Sequence, residues 1–333
     1  MPRPLTLARL PTPLHPLPRA SARLGAEIWV KRDDLTGGLL MGNKVRKLDY
    51  LMADAVERGA RTVLTTGAIT SNHARATAVA ARELGLHPVL LLRGARPDLP
   101  VGNLLLDALV GAEIHLVDAA GYARRDALLA ELAERAERGP AYIIPEGGSN
   151  GVGALGYVAA ALELQLQCLR EGVHFDTIVF ATGSGGTLAG LAAGGLPGKV
   201  WAVAVCDDAA YFRARALAIG EDLSRISGYR VPEPGAGWDV TDAFKGTAYG
   251  VSRPEELHEA SQLAREEGLV VDPVYTGKAW FALAETLRQD RAALGRRVLF
   301  WHTGGVYGLF GREGELAGPG AATRLDIQGE FQG

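Results

Sequence analysis

"RTVLTTGAITSNHARATAVAAREL", residues 61–84, decides the fold. Its first seven residues are an apolar, β-branched run closing on glycine; from Ser71 alanine and other apolar residues follow at helical density. The stretch reads as a buried strand, a polar loop and a helix. A short strand that is apolar on consecutive positions is covered on both faces, as in parallel sheets flanked by helices.

The same unit recurs outward. Upstream, Asn43 reads as the cap of a helix whose apolar positions Val45, Leu48, Leu51, Met52, Ala55 and Val56 keep helical spacing until Gly59. Downstream, "HPVLLL" from His87, "EIHLV" from Glu113 and "AYIIP" from Ala141 are strands, separated by helices in "NLLLDALV" from Asn103 and "RRDALLAELAERAER" from Arg124. A second series follows: "GYVAAALELQLQCL" from Gly156 (helix), "DTIVFATG" from Asp176 (strand), "GGTLAGLAAG" from Gly185 (helix), "KVWAVAV" from Lys199 (strand) and "RRVLFWHTGG" from Arg296 (strand). The glycine-rich stretch 146–153 is the expected crossover between the two sheets. The fold class is α/β, with two open twisted parallel sheets carrying helices on both faces.

Composition narrows the function. The 333 residues are 47% hydrophobic and 22% charged, with a net charge of −3. Acids and bases are interspersed, so no basic face invites nucleic acid or an anionic membrane, and a small molecule is the expected partner. No apolar run is expected to reach the roughly 18 residues that span a bilayer, and the proline-rich start "MPRPLTLARLPTPLHPLPRAS" does not read as a signal segment. A cytoplasmic location is expected. Cys168 and Cys206 have no ligand spacing and read as buried apolar residues, with no metal site and no disulfide framework.

Six lysines stand against twenty-nine arginines. Arginine serves for surface charge, so a lysine kept here is a candidate for chemistry that arginine cannot perform, as an amine nucleophile. Lys44 and Lys47 lie one turn apart at a helix start, where the dipole disfavours cations and an anion nearby would compensate. In open α/β sheets ligands bind beyond the carboxyl ends of strands, which directs attention to "TTGAITSNH", "ATGSGGT" and "WHTGG". The loop Thr182 to Thr187 can offer backbone N–H groups to an anion at a helix start. It lacks both the G-x-G-x-x-G spacing and the Walker lysine, so a lone phosphate fits better than a dinucleotide or nucleoside triphosphate. Ser71 and Asn72 could also be simple N-caps. "GGSNG" matches the G-x-S-x-G nucleophile elbow and would pair Ser149 with His302 as base, but no oxyanion loop accompanies it and the lysine pair stays unexplained. A phosphate loop together with an imine-forming lysine points to pyridoxal phosphate.

With "VKRDDLTGG", "GNKVRKLDYL", "GAITSNHARATA", "PEGGSN", "TGSGGT", "AYGV", "DPVYTGKA" and "HTGG" in this order, the chain resembles the D-cysteine desulfhydrase and 1-aminocyclopropane-1-carboxylate deaminase family, within the tryptophan synthase β-like group. The resemblance implies a large domain of residues 1–46 plus 151–333, a small domain of residues 47–150, the cofactor in the cleft between them, and a homodimer. It makes Lys44 the Schiff-base lysine and Lys47 a phosphate ligand. Asn72 becomes the partner of the ring's 3′-oxygen, with Ser71 and His73 lining the substrate carboxylate pocket. Gly183, Ser184, Gly185, Gly186 and Thr187 form the phosphate cup, and Tyr249 and Tyr275 are active-site tyrosines.

"YTGK" and "HTGG" stand where the deaminases carry "YEGK" and "HLGG", so the match is to the desulfhydrase side. Thr303 is the expected partner of the pyridine nitrogen, with Thr276 the second choice. A hydroxyl cannot keep that nitrogen protonated as a carboxylate would. The weaker electron sink suits β-elimination of thiolate from D-cysteine, giving pyruvate, hydrogen sulfide and ammonia, better than opening a cyclopropane ring. Alternatives are the deaminase reaction, elimination from another β-substituted amino acid such as L-cysteate or a β-chloro-alanine, and a pyridoxal-phosphate carrier without turnover.

Overall fold

The structure, a computed structural model, describes residues 1–248 and 250–312. Its strands are β1 (Leu14–Pro16), β2 (Glu27–Arg32), β3 (Thr62–Ala68), β4 (His87–Arg93), β5 (Glu113–Val117), β6 (Ala141–Ile143), β7 (Thr177–Thr182), β8 (Lys199–Ala204), β9 (Trp238–Thr241) and β10 (Arg297–His302). The α-helices are α1 (Pro18–Leu24), α2 (Asn43–Glu57), α3 (Asn72–Glu83), α4 (Gly102–Leu109), α5 (Ala119–Ala123), α6 (Arg125–Glu134), α7 (Gly151–Glu171), α8 (Gly186–Ala193), α9 (Ala209–Ser227), α10 (Pro254–Glu267) and α11 (Thr276–Gln289).

Two sheets result, one of six strands in the order β1-β2-β10-β7-β8-β9 and one of four in the order β5-β4-β3-β6. Every pairing is parallel except that of β1 with β2. The chain leaves the smaller sheet after β6 and enters the larger at β7, by way of a single turn at Glu146–Gly148 and the helix α7.

Strand periodicity builds the core on both faces of the larger sheet. Ile178 and Phe180 of β7 join Leu299 and Trp301 of β10 on one face, under α7, α8 and α9. Val179 and Ala181 join Val298 and Phe300 on the other, under α1 and α11. In the smaller sheet Val63 packs towards α2 and α3, whereas Leu64 packs towards α6.

Three sequence expectations need correction. The helix expected over residues 124–138 is α6, which begins at Arg125 and already ends at Glu134, and the separate short helix α5 precedes it, with Arg124 (φ −103°, ψ 15°) between the two. Asn43 is the first residue of α2, not its cap; Gly42 holds that place with φ 97°. Finally, α7 is long and apolar enough, by length and composition, to cross a membrane. It is nevertheless a core helix. Tyr157, Ala160, Ala161 and Leu164 are buried, and Glu163 accepts from both Lys31 and Arg46 in the interior, a charged hub that hydrocarbon would not accommodate.

Candidate active site

The three loops singled out above sit at the carboxyl ends of β3, β7 and β10, and all three face one cleft between the two sheets. Lys44, Ser71, Asn72, His73, Thr182, Gly183, Ser184, Gly185, Thr187, Tyr275 and Thr303 line it.

Lys44 reaches the cleft because α2 begins against the loop after β10. The N–H of Asn43 donates to the Thr303 carbonyl at 2.9 Å. That approach requires glycine on both sides: a Cβ on Gly42 would lie 3.0 Å from the Thr303 oxygen, and one on Gly304 2.6 Å from Gly42 Cα. The Lys44 ammonium donates to Asn43 Oδ1 at 2.9 Å and lies 5.9 Å from the Tyr275 ring centre. Burial pushes it down to about 8, with Asp272 opposing and Arg75 adding to the shift. The amine is therefore partly neutral near physiological pH, unlike an exposed lysine.

Lys47 lies behind the lining, fully buried. Its Nζ donates to the Gly147 carbonyl at 3.0 Å and to Ser149 Oγ at 3.3 Å. Burial and the neighbouring Lys44 hold it well below the usual lysine range. Ser149 Oγ also donates to Ser184 Oγ at 2.9 Å and accepts from the Gly186 N–H at 3.2 Å, so it joins Lys47 to the start of α8. Gly147 has φ 68°, and a Cβ there would fall 2.3 Å from Ser184 Oγ.

Lys47, the Ser149 and Ser184 hydroxyls and the first N–H groups of α8 thus converge with no acidic partner for Lys47 among the described residues. Thr182 Oγ1, buried in the same wall, has no hydrogen-bond partner among them. A cation set against the positive end of a helix, with an orphaned hydroxyl beside it, fits an anionic ligand, and a phosphate ester satisfies that donor set.

On the facing wall, Ser71 caps α3 by accepting from the Ala74 N–H at 3.1 Å, so the simple capping role and the cleft position coexist. His73 is buried, its Nε2 2.9 Å from Thr65 Oγ1. Burial and the two lysines hold it neutral, well below the ordinary histidine value. Tyr275 is placed by Asp272, whose carboxylate accepts from the N–H groups of Val274, Tyr275 and Thr276, each at 2.9 Å.

The two threonines part company. Thr303 lines the cleft. Thr276 is completely buried outside the lining, its hydroxyl donating to Asp272 Oδ1 at 2.7 Å and accepting from the Asp272 N–H at 2.9 Å. As a contact for a ring in the cleft, Thr276 is therefore corrected. The Ser149–His302 pair is corrected too: Ser149 is held by Lys47, Ser184 and Gly186, whereas His302 Nε2 meets the Val270 carbonyl at 2.9 Å and its Nδ1 accepts from the Gly304 N–H. Tyr249 lies outside the described residues. The sequence does not single out Ser149 for this donor set: its G-x-S-x-G spacing points to hydrolase chemistry, whereas the structure joins it to Lys47, Ser184 and Gly186.

A family model described as pyridoxal-phosphate dependent enzyme matches residues 5–304. The chain is 41% identical to the bifunctional D-cysteine desulfhydrase/1-aminocyclopropane-1-carboxylate deaminase, mitochondrial, of Arabidopsis thaliana, over 97% of this chain and 83% of that protein. It is 43% identical to a putative 1-aminocyclopropane-1-carboxylate deaminase of Thermotoga maritima, over 94% of this chain and 99% of that protein. Among solved structures, a homologue of 1-aminocyclopropane-1-carboxylate deaminase superposes with a TM-score of 0.86 at 38% identity, covering 94% of each chain.

Proposed function

The chain belongs to the pyridoxal-phosphate dependent enzyme family, as a lyase of fold type II, and from that premise we propose that it releases pyruvate, hydrogen sulfide and ammonia from D-cysteine with uptake of one water. Pyridoxal phosphate, when bound, supplies the electron sink for the carbanion formed at the substrate α-carbon.

The remaining work falls to side chains. Lys44 would hold the cofactor and would move the substrate α-proton; an amine near 8 can both accept and return it. Lys47, Ser149, Ser184 and the α8 N-terminus hold the phosphate. Asn72 meets the ring oxygen, and Ser71 with the neutral His73 receives the substrate carboxylate. Tyr275, set over Lys44 by Asp272, bounds the reacting face. Because His73 stays uncharged, it contributes hydrogen bonding without competing with Lys44 for protons.

One observation carries the choice of substrate: among the described residues the cleft lining includes Thr303 together with Tyr275, and its one acidic member is Glu146, which accepts from Tyr122 at 2.6 Å. Thr303 can meet the ring nitrogen without keeping it protonated, which leaves thiolate departure accessible and cyclopropane opening slow. A second reading, the deaminase reaction, draws support from relatives named for it. A panel of D-cysteine, L-cysteine, L-cysteate, β-chloro-alanines and 1-aminocyclopropane-1-carboxylate, read by sulfide, pyruvate and 2-oxobutanoate, tests both. Release of 2-oxobutanoate at a rate matching or exceeding that of sulfide would make the deaminase the better reading.

A homodimer and a cytoplasmic setting complete the proposal. Leu162, Leu166 and Leu169 form an exposed apolar stripe along α7, which supports packing against a second copy; light scattering after gel filtration measures it. The free thiols of Cys168 and Cys206 support a reducing compartment, and fractionation of the source cells tests it.

A further inference from the structure

Asn72 can serve an anionic ring oxygen only if its amide NH2, not its carbonyl, faces the cleft. The side chain alone does not decide this, because the two ends of a carboxamide have nearly the same shape. In this structure the Asn72 Oδ1 is already engaged, accepting from Asn103 Nδ2 at 3.0 Å. The same Nδ2 donates to the Thr70 carbonyl at 2.8 Å, and Asn103 Oδ1 accepts from Arg75 Nε at 3.2 Å. Asn103 is buried on α4 with both ends of its amide committed. An oxygen turned to a guanidinium leaves only donors for Asn72.

Arg75 is held as firmly. One terminal nitrogen donates to the Leu39 carbonyl and the other to the Met41 carbonyl at 3.3 Å, and the guanidinium lies 5.0 Å from the Tyr307 ring centre. Asp107, one turn beyond Asn103 on α4, is buried near it and supplies opposite charge. Arginine cannot accept a hydrogen bond, so the polarity of the whole chain of contacts is set at its far end.

We propose that Arg75 and Asn103 are positioning residues that fix the Asn72 amide with its NH2 towards the cleft, where it donates to the ring oxygen of pyridoxal phosphate. The inference rests on the cofactor contact proposed above for Asn72. Reversal would set a carbonyl against an oxygen anion, replacing a charge-assisted hydrogen bond with repulsion. Since Arg75 also grips Leu39 and Met41, the segment leading into Lys44 and the wall carrying Asn72 share one frame.

The test uses holoenzyme and the variants Asn103→Asp, Asn103→Leu, Asn72→Ala and Asn72→Ala/Asn103→Asp. A carboxylate at position 103 still accepts from Arg75 but can only accept from Asn72, which must turn its NH2 away from the cleft. The readouts are the visible absorbance maximum of the bound cofactor, the pH midpoint of that band, and cofactor loss on dialysis, with thermal midpoints recorded alongside. Asn103→Asp is expected to displace the band as Asn72→Ala does and to weaken retention about ten- to a hundredfold, the size of one charge-assisted hydrogen bond. Asn103→Leu, which removes the instruction without reversing it, should give a smaller displacement and keeps the test open if the aspartate variant folds poorly. The double variant should be no worse than Asn72→Ala, because the relay acts only through Asn72. An unchanged band in Asn72→Ala would overturn the underlying contact. A displaced band in Asn72→Ala with unchanged bands in both Asn103 variants, or additive effects in the double variant, would overturn the relay alone.

Discussion

Lys47→Met should change the stability of the protein in opposite directions with and without cofactor. The Lys47 ammonium is fully buried, it donates to the Gly147 carbonyl and the Ser149 hydroxyl, and a Cβ built on Gly186 at the start of α8 would lie only 2.9 Å from its Nζ. Without an anion this is an unfavourable place for a cation, and its folded value is pushed well below the ordinary 10.5. An unfolded chain then binds a proton that the cofactor-free folded chain gives up. Cofactor-free stability therefore rises with pH from the depressed folded value up to about 10.5, and is reduced below that window. Methionine keeps most of the volume and removes the penalty. The cofactor-free variant should melt higher than wild type at pH 7 and lose part of its stability gain towards alkaline pH. With phosphate bound the sign inverts: the variant lacks a charge-assisted contact worth about 1.5–3 kcal/mol, so cofactor retention should weaken about ten- to a hundredfold. Melting curves of both forms from pH 6 to 10, with dissociation followed by dialysis and absorbance, measure the two effects. A cofactor-free variant that melts lower, combined with unchanged retention, would show that Lys47 serves only to tie Gly147 and Ser149.

Lys44→Ala should abolish the covalent cofactor link; intact mass after borohydride treatment checks it, and a persisting reduced adduct would move the role to another lysine. Arg46→Met removes the partner of Asp33 (2.8 Å) and of Glu163 (3.0 Å) deep in the interior, leaving Asp33 with the Tyr157 and Thr12 hydroxyls. Its expected cost is about 3–5 kcal/mol in urea unfolding, and a loss below about 1 kcal/mol would mean that the interior charges reorganise freely. Thr303→Val deletes a hydroxyl while keeping shape; sulfide release from D-cysteine should fall by up to about tenfold, the size of one neutral hydrogen bond, with the fold intact. Unchanged turnover would place the nitrogen contact elsewhere.

The alternation of apolar runs was enough for the sequence alone to determine two parallel sheets, because a strand covered on both faces leaves no choice about what packs on it. The three loops that line the cleft, after β3, β7 and β10, were equally legible, because strand ends and helix starts are local features. What only the tertiary structure decided are relations between distant segments. Thr276 and Thr303 look interchangeable as hydroxyls in the sequence, but the three N–H groups that converge on Asp272 bury Thr276 beside it, and Thr303 alone meets the cleft. Ser149 carried a hydrolase spacing, yet its surroundings are Lys47 on α2 and Ser184 and Gly186 at the start of α8, from two other places in the chain. The apolar length of α7 could suit lipid as well as protein, and Glu163 at the centre of a buried ion network settles it as core. The direction of the Asn72 amide depends on Asn103 and Arg75, which sequence spacing does not connect. Local hydrogen bonding and periodicity are written in neighbouring residues, whereas the partner of a buried polar group is chosen by which segments the fold brings within about 3 Å of it.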